Sequence, residues 1–198
     1  MCSVVWSGVV ATTWVSSGPF RGWDRIGGGF DEPAVSLGFT GPQTTQYPWR
    51  MSYAVRIEAS EASLNTELSI TRSLGCARND RAPVLPGFHP YFVGKADEAK
   101  ILLDGQWPIP GAIGSEPRFI ALDGARKVLI WTSGKQVLME LNPAFLKEGI
   151  VVLWTDNPAE YFCVEPVIQD PHRFIHADGR YLERGETLGL AVSFTRIA

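Results

Sequence analysis

Two short segments carry the residues best suited to acid/base chemistry. Gly87-Phe88-His89-Pro90-Tyr91-Phe92 holds a histidine between aromatics and a proline, and Phe162-Cys163-Val164-Glu165-Pro166 holds a carboxylate on an apolar run. Apolar surroundings can tune an imidazole and a carboxyl toward neutral pH, so His89 and Glu165 are a candidate proton donor and acceptor. On an extended strand Phe162 and Val164 share one face and Cys163 and Glu165 the other. Glu165 then has a small, poorly solvated neighbour. Taken locally, a structural histidine bonded to backbone and a strand-end carboxylate facing water would read the same way.

Other reactive groups fit blander roles. His172 and His176 stand four residues apart near Asp170, the spacing of a metal pair. Their segment begins with Pro171 and ends in Ala177-Asp178-Gly179, so a solvated loop is expected and no metal site is assigned. Gly27-Gly28-Gly29 lacks the lysine and hydroxyl residue of a phosphate loop and reads as a turn. Cys163 fits a small buried apolar residue better than a nucleophile. Trp49, Trp107, Trp131 and Trp154 offer faces for a sugar ring, but the sequence does not single one out.

The elements that must position His89 and Glu165 are strands. Tyr53, Val55 and Ile57 alternate with Ala54, Arg56 and Glu58, and Leu64, Thr66, Leu68 and Ile70 alternate with polar neighbours. This period of two predicts half-buried strands. Residues 127–132 and 136–141 flank Ser133-Gly134-Lys135, a hairpin signal. Residues 150–154, 161–165 and 188–194 read as further strands. A helix is expected only over 142–148, where Pro143 suits a first turn. Many short strands between turn signals predict an all-β sandwich or barrel.

The chain has 198 residues and a net charge of -3, enough for one domain with a sizeable core. No basic block points to nucleic acid. The apolar run from Ser3 to Val15 is too short to span a membrane and has no basic residue before it. Three cysteines without regular spacing, Cys2, Cys76 and Cys163, fit a reducing, cytoplasmic setting. Residues 1–46 hold eight of the twenty glycines and little aliphatic pattern, so they read as an atypical start to a single domain over 1–198.

From about residue 34 onward the sequence resembles the aldose 1-epimerases, the galactose mutarotases. The resemblance lies in the order of several motifs. Ala34-Val-Ser-Leu-Gly-Phe39 precedes Tyr47-Pro48-Trp49; then come Gly87 to Phe92, Val151 to Asp156, Phe162 to Pro166, and Leu182-Glu183-Arg184-Gly185-Glu186-Thr187, with Arg184 where the family has proline. The resemblance implies a large antiparallel β-sandwich of the galactose mutarotase-like type and a free hexose as partner. It implies that Glu165 takes the proton of the anomeric hydroxyl while His89 protonates the ring oxygen, without metal or organic cofactor. Tyr91 belongs to the same motif and is a candidate sugar contact. A family aspartate that binds sugar hydroxyls has Asp123 as its candidate by position, with Asp104 competing.

The sequence also departs from the family. Ser7, in Ser7-Gly8-Val9-Val10, stands where a second, sugar-binding histidine is expected, and the upstream arginine has no counterpart in order. The resemblance thus implies a sandwich short of its first strands. Its open edges would be covered by residues 1–46 or by a second copy of the chain. Two other functions share the fold: sugar binding without catalysis, and 1-epimerisation of a hexose 6-phosphate. The second would need arginines such as Arg50, Arg56, Arg72, Arg78, Arg81 or Arg118 at the cleft.

Overall fold

The computed structural model describes residues 2–6, 9–14, 24–27, 34–41, 43, 45, 47–74, 81–106, 108–175 and 179–197. The N-terminal part supplies β1 (Cys2–Trp6), β2 (Val9–Trp14), β3 (Asp24–Gly27) and β4 (Ala34–Thr40). β5 (Met51–Ala59) and β6 (Ser63–Arg72) form a long hairpin, followed by β7 (Ala82–Pro83), β8 (Gly87–Val93), β9 (Lys100–Leu103) and β10 (Arg118–Ala121). β11 (Lys127–Thr132) and β12 (Lys135–Leu141) form a second hairpin, and β13 (Ile150–Trp154), β14 (Tyr161–Val167), β15 (Tyr181–Leu182) and β16 (Thr187–Ile197) complete the order.

Two antiparallel sheets face each other. One has six strands in the order β1-β2-β8-β14-β13-β10, the other eight in the order β3-β4-β5-β6-β16-β12-β11-β9; β7 and β15 make a small third pair. The N-terminal strands therefore extend both large sheets. β2 lies against β8 along its whole length, with Thr12 across from His89. The expected cover for that edge comes from the chain's own residues.

The alternating strands pack as their period dictates. Met51, Tyr53, Val55 and Ile57 of β5 and Leu64, Thr66, Leu68 and Ile70 of β6 are buried on one face. Opposite them, the six-stranded sheet contributes Phe88, Phe92, Phe162, Val164, Val151 and Leu153 to the same core. Phe92 and Phe194 bridge the two sheets with ring centroids 6.2 Å apart. Burying a Phe or Leu side chain is worth about 1.5–3 kcal/mol, so this layer supplies most of the drive to fold.

Details of the turns differ from the sequence reading. The β11–β12 turn has two residues rather than three: Ser133 (φ 47) and Gly134 (φ 72) both take positive φ, and Lys135 already belongs to β12. This is the pattern of the primed hairpin turns, whose twist matches that of the strands. The helix expected over 142–148 shrinks to a 3-10 turn, Pro143–Phe145, closed by the Leu146 N–H on the Pro143 carbonyl at 3.1 Å and followed by a single wider turn from the Gly149 N–H to the Phe145 carbonyl at 2.9 Å. The segment read as a loop after Asp170 begins as a short helix, Pro171–Ile175. Asp170 caps it by accepting the His172 N–H at 2.8 Å, with proline in the first turn.

Candidate functional site

β8 and β14 are neighbours in the six-stranded sheet, and their register brings the two chemical segments together. Cys163 pairs with Tyr91 and Val167 with Gly87, so Glu165 stands across from His89. β13 adds Val152 beside Glu165 and Trp154 beside Cys163. One face of three strands thus presents a grid: Val152, Glu165 and His89 in one row, Trp154, Cys163 and Tyr91 in the next. The alternate residues Phe88, Phe92, Phe162 and Val164 point into the core. The site face is the one turned away from that core.

Gly87 permits the close approach of these strands. A Cβ there would meet the carbonyl oxygen of Pro166 at 2.8 Å and Cγ2 of Val167 at 3.0 Å. Any larger residue would push β8 off β14 at the floor of the site.

His89 Nε2 lies 3.3 Å from Glu165 Oε1, with the side chains 15% and 17% exposed. Burial pushes the Glu165 carboxyl up from 4.5 to about 7 and pushes the His89 imidazole down from 6.5. Both shifts favour the uncharged forms. At 3.3 Å an ionised pair would attract, which opposes both shifts, so the two groups titrate as a unit. The arrangement can hold one proton between two atoms and pass it in either direction.

The pair sits in a cleft of about 370 Å³, at the small end of the range for small-molecule sites. Its described walls are Leu85, Gly87, Phe88, Pro117, Phe119, Val152, Trp154, Val167 and Pro171. Among these lining residues His89 and Glu165 are the only ionisable groups. The Trp154 indole N–H donates to the Ser115 carbonyl at 3.1 Å, which fixes the ring. Its edge meets the His89 ring at 6.0 Å and 89°. An apolar wall of this kind suits the C–H face of a pyranose. Such a site binds by shape and orients by a few polar groups.

Tyr91 is brought to the site. It stacks on His89 at 4.7 Å and 19°, and meets Tyr161 edge-on at 5.3 Å. The Tyr161 hydroxyl donates to Asp156 Oδ1. Burial, with Cys163, Glu165 and Asp156 nearby, raises the Tyr91 phenol above its usual value. Asp123 is not brought in. It occupies the exposed turn between β10 and β11 with φ 49 and is not among the residues lining the cleft. Its competitor Asp104 is engaged in a turn, accepting the N–H groups of Arg126 and Lys127 at 3.1 and 2.9 Å. Ser7, Trp107, Cys76, Arg78 and His176 lie outside the described residues.

The sequence reading passed over Trp154 as one of several tryptophans, and did not single out Phe119, Val152, Asp156 or Tyr161. Strand register alone selects Trp154, because it places that residue one row from Glu165. Trp131, by contrast, lies on β11 of the other sheet, and Trp49 packs edge-on against Tyr47 at 5.1 Å.

No protein-family model matches the sequence, and no curated protein does. Solved structures match the fold. The Slr1438 protein of Synechocystis sp. PCC 6803 is 16% identical, with a TM-score of 0.69 over 88% of this chain and 65% of that one. An aldose 1-epimerase-like protein of Escherichia coli K12 is 16% identical, with a TM-score of 0.68 over 98% of this chain and 78% of that one. A galactose mutarotase related enzyme of Lactobacillus acidophilus is 13% identical, with a TM-score of 0.66 over 90% and 72%. The chain thus spans about two thirds of the first of these proteins and somewhat more of the others. No helix among the described residues is long and apolar enough to cross a membrane. Two facing antiparallel sheets and these structural neighbours agree: the chain has the galactose mutarotase-like β-sandwich fold.

Proposed function

We propose that this protein is an aldose 1-epimerase acting on an unphosphorylated hexose. The observation that carries the reading is the His89–Glu165 pair, 3.3 Å apart in an apolar cleft. Ring opening of a pyranose needs a base on O1 and an acid on O5, and both oxygens are bonded to the same carbon. A donor and an acceptor set side by side can therefore serve both at once. With the shared proton on His89, Glu165 takes the O1 proton while His89 delivers its proton to O5, and the C1–O5 bond breaks to give the open aldehyde, leaving the pair in its uncharged form. After rotation about C1–C2 the roles reverse and the ring closes on the other face. No proton is gained or lost over the cycle, which suits a pair that holds one proton between its two members. Trp154 and Phe119 would take the C–H face of the sugar, and Tyr91 would hold the imidazole plane.

A phosphorylated substrate is less well supported. Among the described residues lining the cleft there is no lysine or arginine. Arg118 donates to the carbonyls of Gly111 and Ala112, Arg72 to that of Leu182, and Arg56 pairs with Glu58.

The test is the rate at which fresh α-D-glucose and α-D-galactose reach anomeric equilibrium, by polarimetry or NMR, with wild type and Glu165→Gln. The reading expects acceleration by wild type that the variant loses. Saturable sugar binding without acceleration would replace it with a binding protein.

A further inference from the structure

The mechanism leaves one buried reactive group beside the pair unused. Cys163 is fully buried, two residues before Glu165 on the same face of β14. Its Sγ, a ring nitrogen of His89 and a carboxylate oxygen of Glu165 all lie within 4.8 Å of one another. A tetrahedral zinc ion, at about 2.3 Å from sulfur and 2.0–2.1 Å from nitrogen and oxygen, holds its donors roughly 3.5 Å apart. The His89–Glu165 separation of 3.3 Å already meets that spacing. The sulfur has about 1 Å to close, within reach of small side-chain rotations.

We propose that His89, Cys163 and Glu165 form a three-donor site for a borderline-soft divalent cation of the zinc type, and that the bound cation inhibits the enzyme. Thiolate with imidazole selects such a cation over magnesium or calcium. One thiolate and one carboxylate neutralise two positive charges, so the filled site buries no net charge. On binding, the Cys163 S–H bond breaks, its proton leaves to solvent, and the S–metal bond forms; no electrons are transferred. His89 and Glu165 face the cleft, so the fourth position opens on it, as in three-ligand zinc sites. The imidazole lone pair and the carboxylate are then committed to the metal, and neither is left to exchange a proton with sugar. The inhibitory half rests on the proposed function; the binding half does not.

The test titrates the full chain, in metal-free buffer, with Co²⁺ and then Zn²⁺. Wild type is expected to give the near-ultraviolet thiolate-to-cobalt band and visible tetrahedral bands, saturating at one equivalent and displaced by Zn²⁺. Cys163→Ser should lose the thiolate band although Cys2 and Cys76 remain. Glu165→Gln should keep the band but bind at least tenfold more weakly, and it carries the test if the serine variant does not fold. No thiolate band in wild type, a band unchanged in Cys163→Ser, or equal affinity in Glu165→Gln would each overturn the site. With activity present, saturating Zn²⁺ should slow mutarotation at least tenfold and a chelator should restore it; a rate unchanged at full occupancy overturns inhibition. Cobalt bands in a chain that never accelerates mutarotation would support the metal site and overturn the proposed function.

Discussion

Replacing Glu165 by glutamine should stabilise the protein above neutral pH while removing its chemistry. Burial raises the Glu165 carboxyl from 4.5 to about 7. The folded state therefore binds more protons than the unfolded state between those values, and stability falls as pH rises across that window. Below pH 4.5 the carboxyl is protonated in both states and contributes no slope. Above pH 7 it is ionised in both, and the full cost is present. A displacement of this size corresponds to about 3 kcal/mol at 1.36 kcal/mol per pH unit. Glutamine has nearly the same shape and no charge, so it avoids that cost at every pH. His89 works in the opposite direction. Its depressed affinity for a proton makes stability rise with pH up to about 6.5. That slope is common to both proteins and largely cancels in their difference. Urea unfolding of wild type and Glu165→Gln at pH 5 and pH 8 isolates the carboxyl. The gain of the variant over wild type should be larger at pH 8 than at pH 5 by up to about 3 kcal/mol. The ionised His89–Glu165 contact reduces this, since it stabilises the charged carboxylate. A difference that does not change with pH, or one that favours wild type at pH 8, would refute the picture of a desolvated carboxyl.

Three further outcomes follow from the same geometry. His89→Gln should lower kcat by roughly 10²–10⁴-fold with little change in sugar affinity, read from mutarotation rates across sugar concentration. Trp154→Ala removes an apolar wall of the cleft and should raise KM roughly three- to tenfold, the worth of one aromatic face; an unchanged KM would mean that the sugar does not rest there. Gly94→Ala should cost about 2 kcal/mol or more on thermal or urea unfolding. Gly94 holds φ 143, and a Cβ there would sit 2.0 Å from Thr132 Oγ1, the atom that donates to the Val93 carbonyl at the end of β8.

How much of this was legible in the sequence depended on whether the signal was local. The period of two placed Tyr53, Val55, Ile57, Leu64, Thr66, Leu68 and Ile70 in the core, because burial on a strand follows from residue parity alone. Parity also placed Phe162 and Val164 opposite Cys163 and Glu165. The segments holding His89 and Glu165 stood out because each sets an ionisable group among apolar residues. Asp123 was a weaker inference for a physical reason. An aspartate followed by glycine is equally the signature of a turn with positive φ, and that is the role Asp123 fills here. Trp154 could not be chosen from four tryptophans because its place depends on which residue of β14 lies beside it, and register is set by long-range pairing. The short helix after Asp170 departs from the expected loop because Pro171 serves as a first-turn residue behind an aspartate cap.

The position of the pair within the sheet also has a physical logic. β8 and β14 are interior strands, and each carries a proline beside its ionisable residue, Pro90 after His89 and Pro166 after Glu165. Proline has no N–H to give to a ladder and is usually kept from interior strands. Between these two strands the paired register is continuous from Tyr161 to Cys163, breaks across Val164 to Pro166, and resumes at Val167. The His89–Glu165 pair occupies that break. There the ladder contributes least, and the side chains above it carry a buried carboxyl that further opposes folding above neutral pH. The phenylalanines beneath, Phe88, Phe92 and Phe162, are 4%, 0% and 0% exposed. Their burial, at about 1.5–3 kcal/mol each, offsets a cost of about 3 kcal/mol for the carboxyl. The sheet can thus hold a destabilising pair because its other face is among the best packed in the molecule. On this reasoning, loss of core packing under β8 should be tolerated better in Glu165→Gln than in wild type at pH 8. Phe92→Leu measured in both backgrounds would show it as a smaller fraction unfolded in the glutamine protein, and equal unfolding in the two would mean that the carboxyl carries no such cost.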